Sequence, residues 1–76
     1  SNSELCTHVN TLMTVLETDL GAAEMLVATL RQGAAGTRWE ADINAIAEQI
    51  GAFDIDKALA SSTALQSKLQ HHSSTT

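Results

Sequence analysis

The sequence predicts an all-α domain of four helices that form two antiparallel helical hairpins, either as a four-helix bundle or as hairpins paired through a dimer. Three observations predict this fold. Apolar residues recur with a period near 3.6 in four successive segments. Good helix formers dominate the composition, and the chain has no proline and no tyrosine. Acidic or glycine-containing corners separate the four segments.

The four helices are expected over about residues 4–17, 20–33, 38–52 and 55–70. Each apolar stripe is one-sided, so each helix must bury that side against a neighbour. The residues expected in the core are apolar members of the four stripes together with the two aromatic residues: Leu12, Leu16, Leu26, Leu30, Trp39, Ile43, Ile46, Ile50, Phe53 and Leu59.

Two corners of similar sequence join the helices within each hairpin. Residues 15–23 read VLETDLGAA, and residues 50–58 read IGAFDIDKA, thirty-five positions later. Asp19 and Asp54 precede the second and fourth helices, where a carboxylate accepts a hydrogen bond from a first-turn N–H and suits the positive end of the helix dipole. The similarity of the two segments is interpreted as two helical hairpins that use the same type of connection.

The middle connection has its own turn signals. Gly33 is expected to end the second helix, with Gly36 in the loop that follows. Thr37 is expected to cap the third helix, with Glu40 as its capping-box partner.

Composition disfavours several classes of partner. The formal net charge is −5, and the four basic residues are scattered along the chain. Because nucleic acids and anionic membranes are bound through clustered Lys and Arg, neither is expected as a partner. Cys6 is the single cysteine, which fits a reducing, cytoplasmic location and a half-buried structural role.

The chain is long enough for one domain. Residues 4–70 are expected to form it, residues 1–3 to be a remnant of a cut from a longer chain, and residues 71–76 to be a polar, frayed tail. A chain of this size buries only roughly 60% of its unfolded surface, so its stability margin is thin and self-association as a homodimer is expected.

No set of residues predicts a catalytic or metal centre. Cys6, His8, His71 and His72 are the candidate metal ligands, but residues two apart point to different sides of a helix, so no metal and no cofactor are expected. The carboxylates are explained as caps and solvated charges, with no nucleophile–base pair among them, so this segment is not expected to be an enzyme.

Two phrases in the sequence resemble a known family. Residues 46–59, IAEQIGAFDIDKAL, resemble the "FDFDxAL" helical corner near the ends of many bacterial hybrid sensor histidine kinases and related two-component response-regulator proteins. Residues 15–30, VLETDLGAAEMLVATL, are similar to the companion pattern "LLxxDxxAxxLLxxL". The resemblance covers about residues 12–60. In those proteins the corner follows receiver domains or closes modules of the histidine-phosphotransfer type.

The resemblance implies a non-catalytic interaction or regulatory module of a phosphorelay. Family members that carry phosphate present H-x-x-K-G in mid-helix, whereas His8 here is followed by Val9, Asn10 and Thr11. The implied partner is a receiver or kinase domain, and the parent protein can be membrane-anchored. Two alternatives stay open: an active phosphotransfer domain that uses His8, and a stand-alone helical adaptor that binds a partner helix.

Overall fold

Four α-helices follow one another along the chain: α1 (Asn2–Val15), α2 (Leu20–Ala34), α3 (Glu40–Gly51) and α4 (Ile55–Ser74). The structure, a computed structural model, describes residues 2–74, with side chains for residues 3–71. No strand occurs in that part of the chain. The all-α prediction is therefore confirmed.

The helices form an up-down-up-down four-helix bundle. Connections at residues 16–19, 35–39 and 52–54 are too short for anything but antiparallel neighbours. Both α1 and α3 pack against α2 and α4, so the hairpins α1–α2 and α3–α4 close on each other within one chain. The bundle measures 35 × 21 × 16 Å, and its radius of gyration of 11.3 Å is close to the about 11.4 Å expected of a folded chain of this length.

The core lies between the four inward stripes. It is made of aliphatic side chains from every helix and one aromatic: Leu5, Val9, Leu12, Leu16, Ala23, Val27, Leu30, Ala34, Trp39, Ile43, Ile46, Ile50, Ala58, Leu65 and Leu69. Burying one such Leu or Ile side chain stabilises the fold by about 1.5–3 kcal/mol. The inward stripes therefore hold the two hairpins together.

Three residues expected in the core lie elsewhere. Phe53 is 73% exposed, so its placement in the core was wrong. Leu26 and Leu59 are half-buried and pack against the rim of the core. An apolar stripe predicts burial only where the backbone is helical, and Phe53 lies in the α3–α4 connection with a left-handed backbone.

The end of α2 differs from the expectation. Gly33 lies inside the helix, which continues through Ala34, and Gly36 has the left-handed backbone (φ 78°) that redirects the chain. Only a residue without Cβ adopts that conformation at no steric cost. The helix therefore ends one residue past the expected position: Ala35 leaves the helical conformation (ψ 129°), and Gly36 then turns the chain.

Thr37 joins two helices instead of capping one. Its hydroxyl donates to the Ala34 carbonyl oxygen at 2.6 Å and accepts from the Trp39 N–H at 3.2 Å. The N-cap position of α3 is Trp39, which makes no side-chain cap. Glu40 is consequently the first residue of α3, and the expected capping box does not form at this register.

Helix α4 continues four residues past its expected end, to Ser74. Residues 71–74 are thus helical, in contrast to the expected frayed tail. Extending an existing helix adds one hydrogen bond per residue, so polar residues without a periodic pattern can continue it. Residues 75 and 76, Ser1 and the side chain of His72 lie outside the described residues.

Candidate functional site

A groove follows the outer seam between α1 and α2; we call it the α1–α2 trough. Its upper half, beside the corner at Asp19, is a shallow depression of about 350 Å³ that is widely open to solvent. Its lining residues are Thr11, Val15, Ala22, Met25, Leu26 and Thr29. They lie at helical spacing on the two facing helices, so the lining forms two parallel rows.

Apolar surface dominates this upper half. The Met25 side chain is 75% exposed, and Val15 and Leu26 are half-buried beside the core. The Thr11 hydroxyl donates to the Thr7 carbonyl oxygen at 3.1 Å, and the Thr29 hydroxyl donates to the Met25 carbonyl oxygen at 3.3 Å. The polar side-chain atoms of the six lining residues are therefore already bonded within their own helices.

The lower half of the trough is more polar. It is a cavity of about 410 Å³ whose lining includes Glu4, His8, Gln32 and Gly33, and it shares Thr29 with the upper half. His8 is half-buried. A Cβ built on Gly33 would meet no atom within 4 Å, so the α2 side is open to solvent.

The basic side chains are engaged away from the trough. Arg31 Nε donates to Asn44 Oδ1 at 3.2 Å, which joins α2 to α3. The guanidinium of Arg38 lies 5.4 Å from the Trp39 ring centroid.

The two lysines pair with aspartates. Lys68 Nζ lies 3.5 Å from Asp42 Oδ2, linking α4 to α3, and Lys57 Nζ lies 3.9 Å from Asp54 Oδ2. The partners of all four Lys and Arg residues thus lie on α3 or in the connections before and after α3, and none lines the trough.

The corner between α3 and α4 exposes Phe53. The Phe53 N–H donates to the Ile50 carbonyl oxygen at 3.0 Å and the Asp54 N–H to the Gln49 carbonyl oxygen at 2.9 Å. These two bonds form a Schellman motif, which requires a left-handed residue at the Phe53 position. Phe53 meets the requirement with φ 58°, a conformation that costs a residue with Cβ about 1–2 kcal/mol.

The two aspartates stand immediately before α2 and α4. Asp19 Oδ1 accepts from the Ala22 N–H at 3.1 Å, and Asp54 Oδ1 accepts from the Lys57 N–H at 3.4 Å. Both carboxylates are therefore occupied with first-turn amides. Antiparallel order places both corners at the same end of the bundle.

Two of the candidate metal ligands have described positions that lie on different helices. Cys6 is half-buried against the core, and His71 lies exposed on α4. Among residues whose side chains are described, no three His, Cys, Asp or Glu side chains converge in a way that could hold an ion. Over the same part of the chain, no helix combines the length and apolar character needed to cross a bilayer.

Comparison with known proteins gives no relative to assign: no family model, curated protein or solved structure matches this chain.

The apolar stripes of the sequence did not predict the exposure of one residue, Met25, or the burial of polar groups of two others, Ser62 and Gln49. Met25 lies off the buried stripe of α2, and a large apolar residue off the stripe is itself the signal that could have found it. Ser62 is completely buried, with its hydroxyl donating to the Ala58 carbonyl oxygen at 2.8 Å. Gln49 keeps its buried Oε1 without a hydrogen-bond partner; its polar side chain gave no signal of burial.

Proposed function

We propose that this chain is a non-catalytic helical interaction module of a two-component phosphorelay, acting in the cytoplasm on a receiver or kinase domain of the same system. The interaction role rests on one observation. Met25 and Phe53 expose large apolar side chains although the bundle already closes a core within one chain. Met25 shares the upper half of the trough with Val15 and Leu26, and a contiguous apolar patch of this kind is typical of surfaces that meet a partner. The signalling assignment is supported by the resemblance over residues 12–60.

A second function, phosphotransfer through His8, has one observation in its favour. His8 is half-buried on α1 beside the open lower half of the trough, which a partner could approach over Gly33. Its surroundings oppose the role. Glu4 lines the same cavity, and residues 1–30 contain no Lys or Arg to stabilise a phosphoryl group.

One experiment separates these functions. The purified chain is mixed with receiver domains of two-component systems, with and without a labelled aspartyl phosphate, and both binding and label on the chain are measured. We expect binding without transfer of label. Label that reaches the wild type and is lost in His8→Gln would establish the second function.

Failure of every receiver and kinase domain to bind would overturn the two-component assignment. A stand-alone adaptor that binds a partner helix would then be the remaining function. Self-association stays a prediction, which size-exclusion chromatography with light scattering tests.

A further inference from the structure

We infer that the α1–α2 trough binds an amphipathic helix of a partner protein, whose apolar stripe lies against the upper half of the trough and is flanked by Lys or Arg. The inference rests on the proposed interaction function and deepens it by naming the surface and the chemistry of the partner. It is carried by three properties of the trough: its apolar lining, its two-row shape and the charge around it.

The lining favours an apolar side chain. Met25 is 75% exposed to solvent, and covering it removes apolar surface from water. The hydroxyls of Thr11 and Thr29 donate to carbonyl oxygens of their own helices. An apolar side chain of a partner can therefore cover the six lining residues without burying a side-chain donor that lacks an acceptor. The flexible thioether of Met25 also adapts to side chains of different shape.

The shape favours a helix. Lining residues recur at positions 4, 8, 11 and 15 on α1 and at positions 22, 25, 29 and 32 on α2, so the trough lies between two parallel rows of side chains. The α1 row is about 17 Å long, which matches about three turns of a partner helix. A third helix laid along such a seam inserts its own i, i+3, i+4 and i+7 side chains between the rows.

The charge selects the flanks of that helix. Residues 1–30 contain four acidic residues, Glu4, Glu17, Asp19 and Glu24, and no Lys or Arg. The first basic residue, Arg31, is bonded to Asn44 on the α3 side. Glu4 lines the lower half of the trough, whereas Glu17 lines the groove between α1 and α4 and the Asp19 carboxylate caps α2. The net negative charge of residues 1–30 attracts a basic helix and repels an acidic one at longer range. A second copy of this chain would bring a like-charged hairpin, and an anionic membrane is repelled by the same field.

The test uses a designed helical peptide of roughly 18 residues, long enough to form a helix, with a leucine stripe flanked by lysines. A second peptide has glutamates in place of the lysines. Binding to the purified chain is measured by fluorescence anisotropy at low and high salt. The protein variant is Met25→Lys, which removes the exposed apolar group and adds a positive charge. Ala41→Lys adds the same charge at an exposed position on α3 outside the trough and serves as the matched control.

We expect the lysine peptide to bind and the glutamate peptide not to bind. Met25→Lys should weaken binding about tenfold or more, as loss of an apolar anchor does, and Ala41→Lys should change it by no more than about twofold. Higher salt should weaken binding by screening the charges. Circular dichroism establishes that both variants keep the helical fold.

Four results would overturn the inference: no binding of the lysine peptide, equal binding of the glutamate peptide, equal weakening by both variants, or a wild-type homodimer that Met25→Lys dissociates. Tight binding to phosphatidylserine vesicles through the same residue would also overturn it in favour of a lipid surface. Peptide binding without binding to any receiver or kinase domain would support the trough and reject the two-component assignment. Receiver binding that is unchanged in Met25→Lys, together with no peptide binding, would support the two-component assignment and reject the trough as a helix-binding surface.

Discussion

Ala23 and Ala58 occupy matching positions in the two hairpins. Both are completely buried, and each donates its backbone N–H at 3.0 Å to the carbonyl oxygen of the aspartate four residues earlier, Asp19 or Asp54. The two corner phrases of the sequence therefore begin α2 and α4 with the same first helical bond. A methyl group at this point lets each helix approach the core closely.

Removing the Asp19 cap should destabilise the fold more than removing the Asp54 cap. Asp19→Ala is expected to lower the free energy of unfolding by about 1 kcal/mol, because a first-turn amide loses its acceptor. Asp54→Ala should cost less, since its bond to the Lys57 N–H is 3.4 Å against 3.1 Å at Asp19. Urea unfolding measures both. The Asn variants keep an acceptor and should retain most of the stability; equal losses for Asn and Ala would contradict the capping role.

Glycine should stabilise one corner and not the other. Phe53→Gly is expected to raise the free energy of unfolding by about 1 kcal/mol, because glycine adopts the left-handed backbone of residue 53 without strain. The matched control is Thr18→Gly at the equivalent position of the first corner. Phe53 is the sole non-glycine residue with positive φ in the described part of the chain. Glycine at position 18 therefore relieves no strain; it only raises the conformational entropy of the unfolded chain and should lower the free energy of unfolding.

Thermal unfolding of the two corner variants measures the difference. A loss of stability in Phe53→Gly would mean that the exposed ring contributes contacts worth more than the backbone strain. A gain of stability in Thr18→Gly would contradict the assigned difference between the corners.

Alanine should have opposite effects at two glycines of the α2–α3 region. Gly33 lies within α2, with nothing within 4 Å of a built Cβ, so Gly33→Ala should raise the free energy of unfolding by up to about 1 kcal/mol. Gly36 has φ 78°, so Gly36→Ala should lower it by about 1 kcal/mol or more. Chemical denaturation of the pair checks the signs. Stabilisation by alanine at both positions would contradict the left-handed backbone conformation assigned to Gly36.

The ion pair between Lys68 and Asp42 should contribute little. Both side chains are at least a third exposed, so Lys68→Met is expected to cost less than about 1 kcal/mol. A double-mutant cycle with Asp42→Asn isolates the pair, and its coupling energy should fall as salt screens the charges. A coupling energy well above about 1 kcal/mol that ignores salt would show that the pair orients α4 on α3.

The helices were predictable because their signals are local. The 3.6-residue stripes of α1 to α4 and the aspartates before α2 and α4 depend on neighbouring residues only. Phe53 was expected in the core as one of the two aromatic residues of the chain. Its actual exposure follows from two backbone hydrogen bonds of the α3–α4 corner, which no stripe encodes.

The candidate site was less predictable than the helices. In the sequence, Leu26 is a member of a core stripe, Val15 lies at the edge of one, and Met25 lies outside them. The trough exists because α1 and α2 are held side by side, which brings residues 11 and 15 next to residues 22, 25 and 29. That adjacency is a property of packed helices, and a single helical pattern does not contain it.

By itself, the sequence determined the helical class, the number of helices and the acidic character of the first hairpin, since each depends on residue type or on short-range periodicity. Only the tertiary structure decided that one chain closes its own core, that Gly36 and not Gly33 turns the backbone, and that Met25 and Phe53 face solvent. The physical reason is that burial and backbone strain are set by which helices meet, and those contacts join residues far apart in the chain.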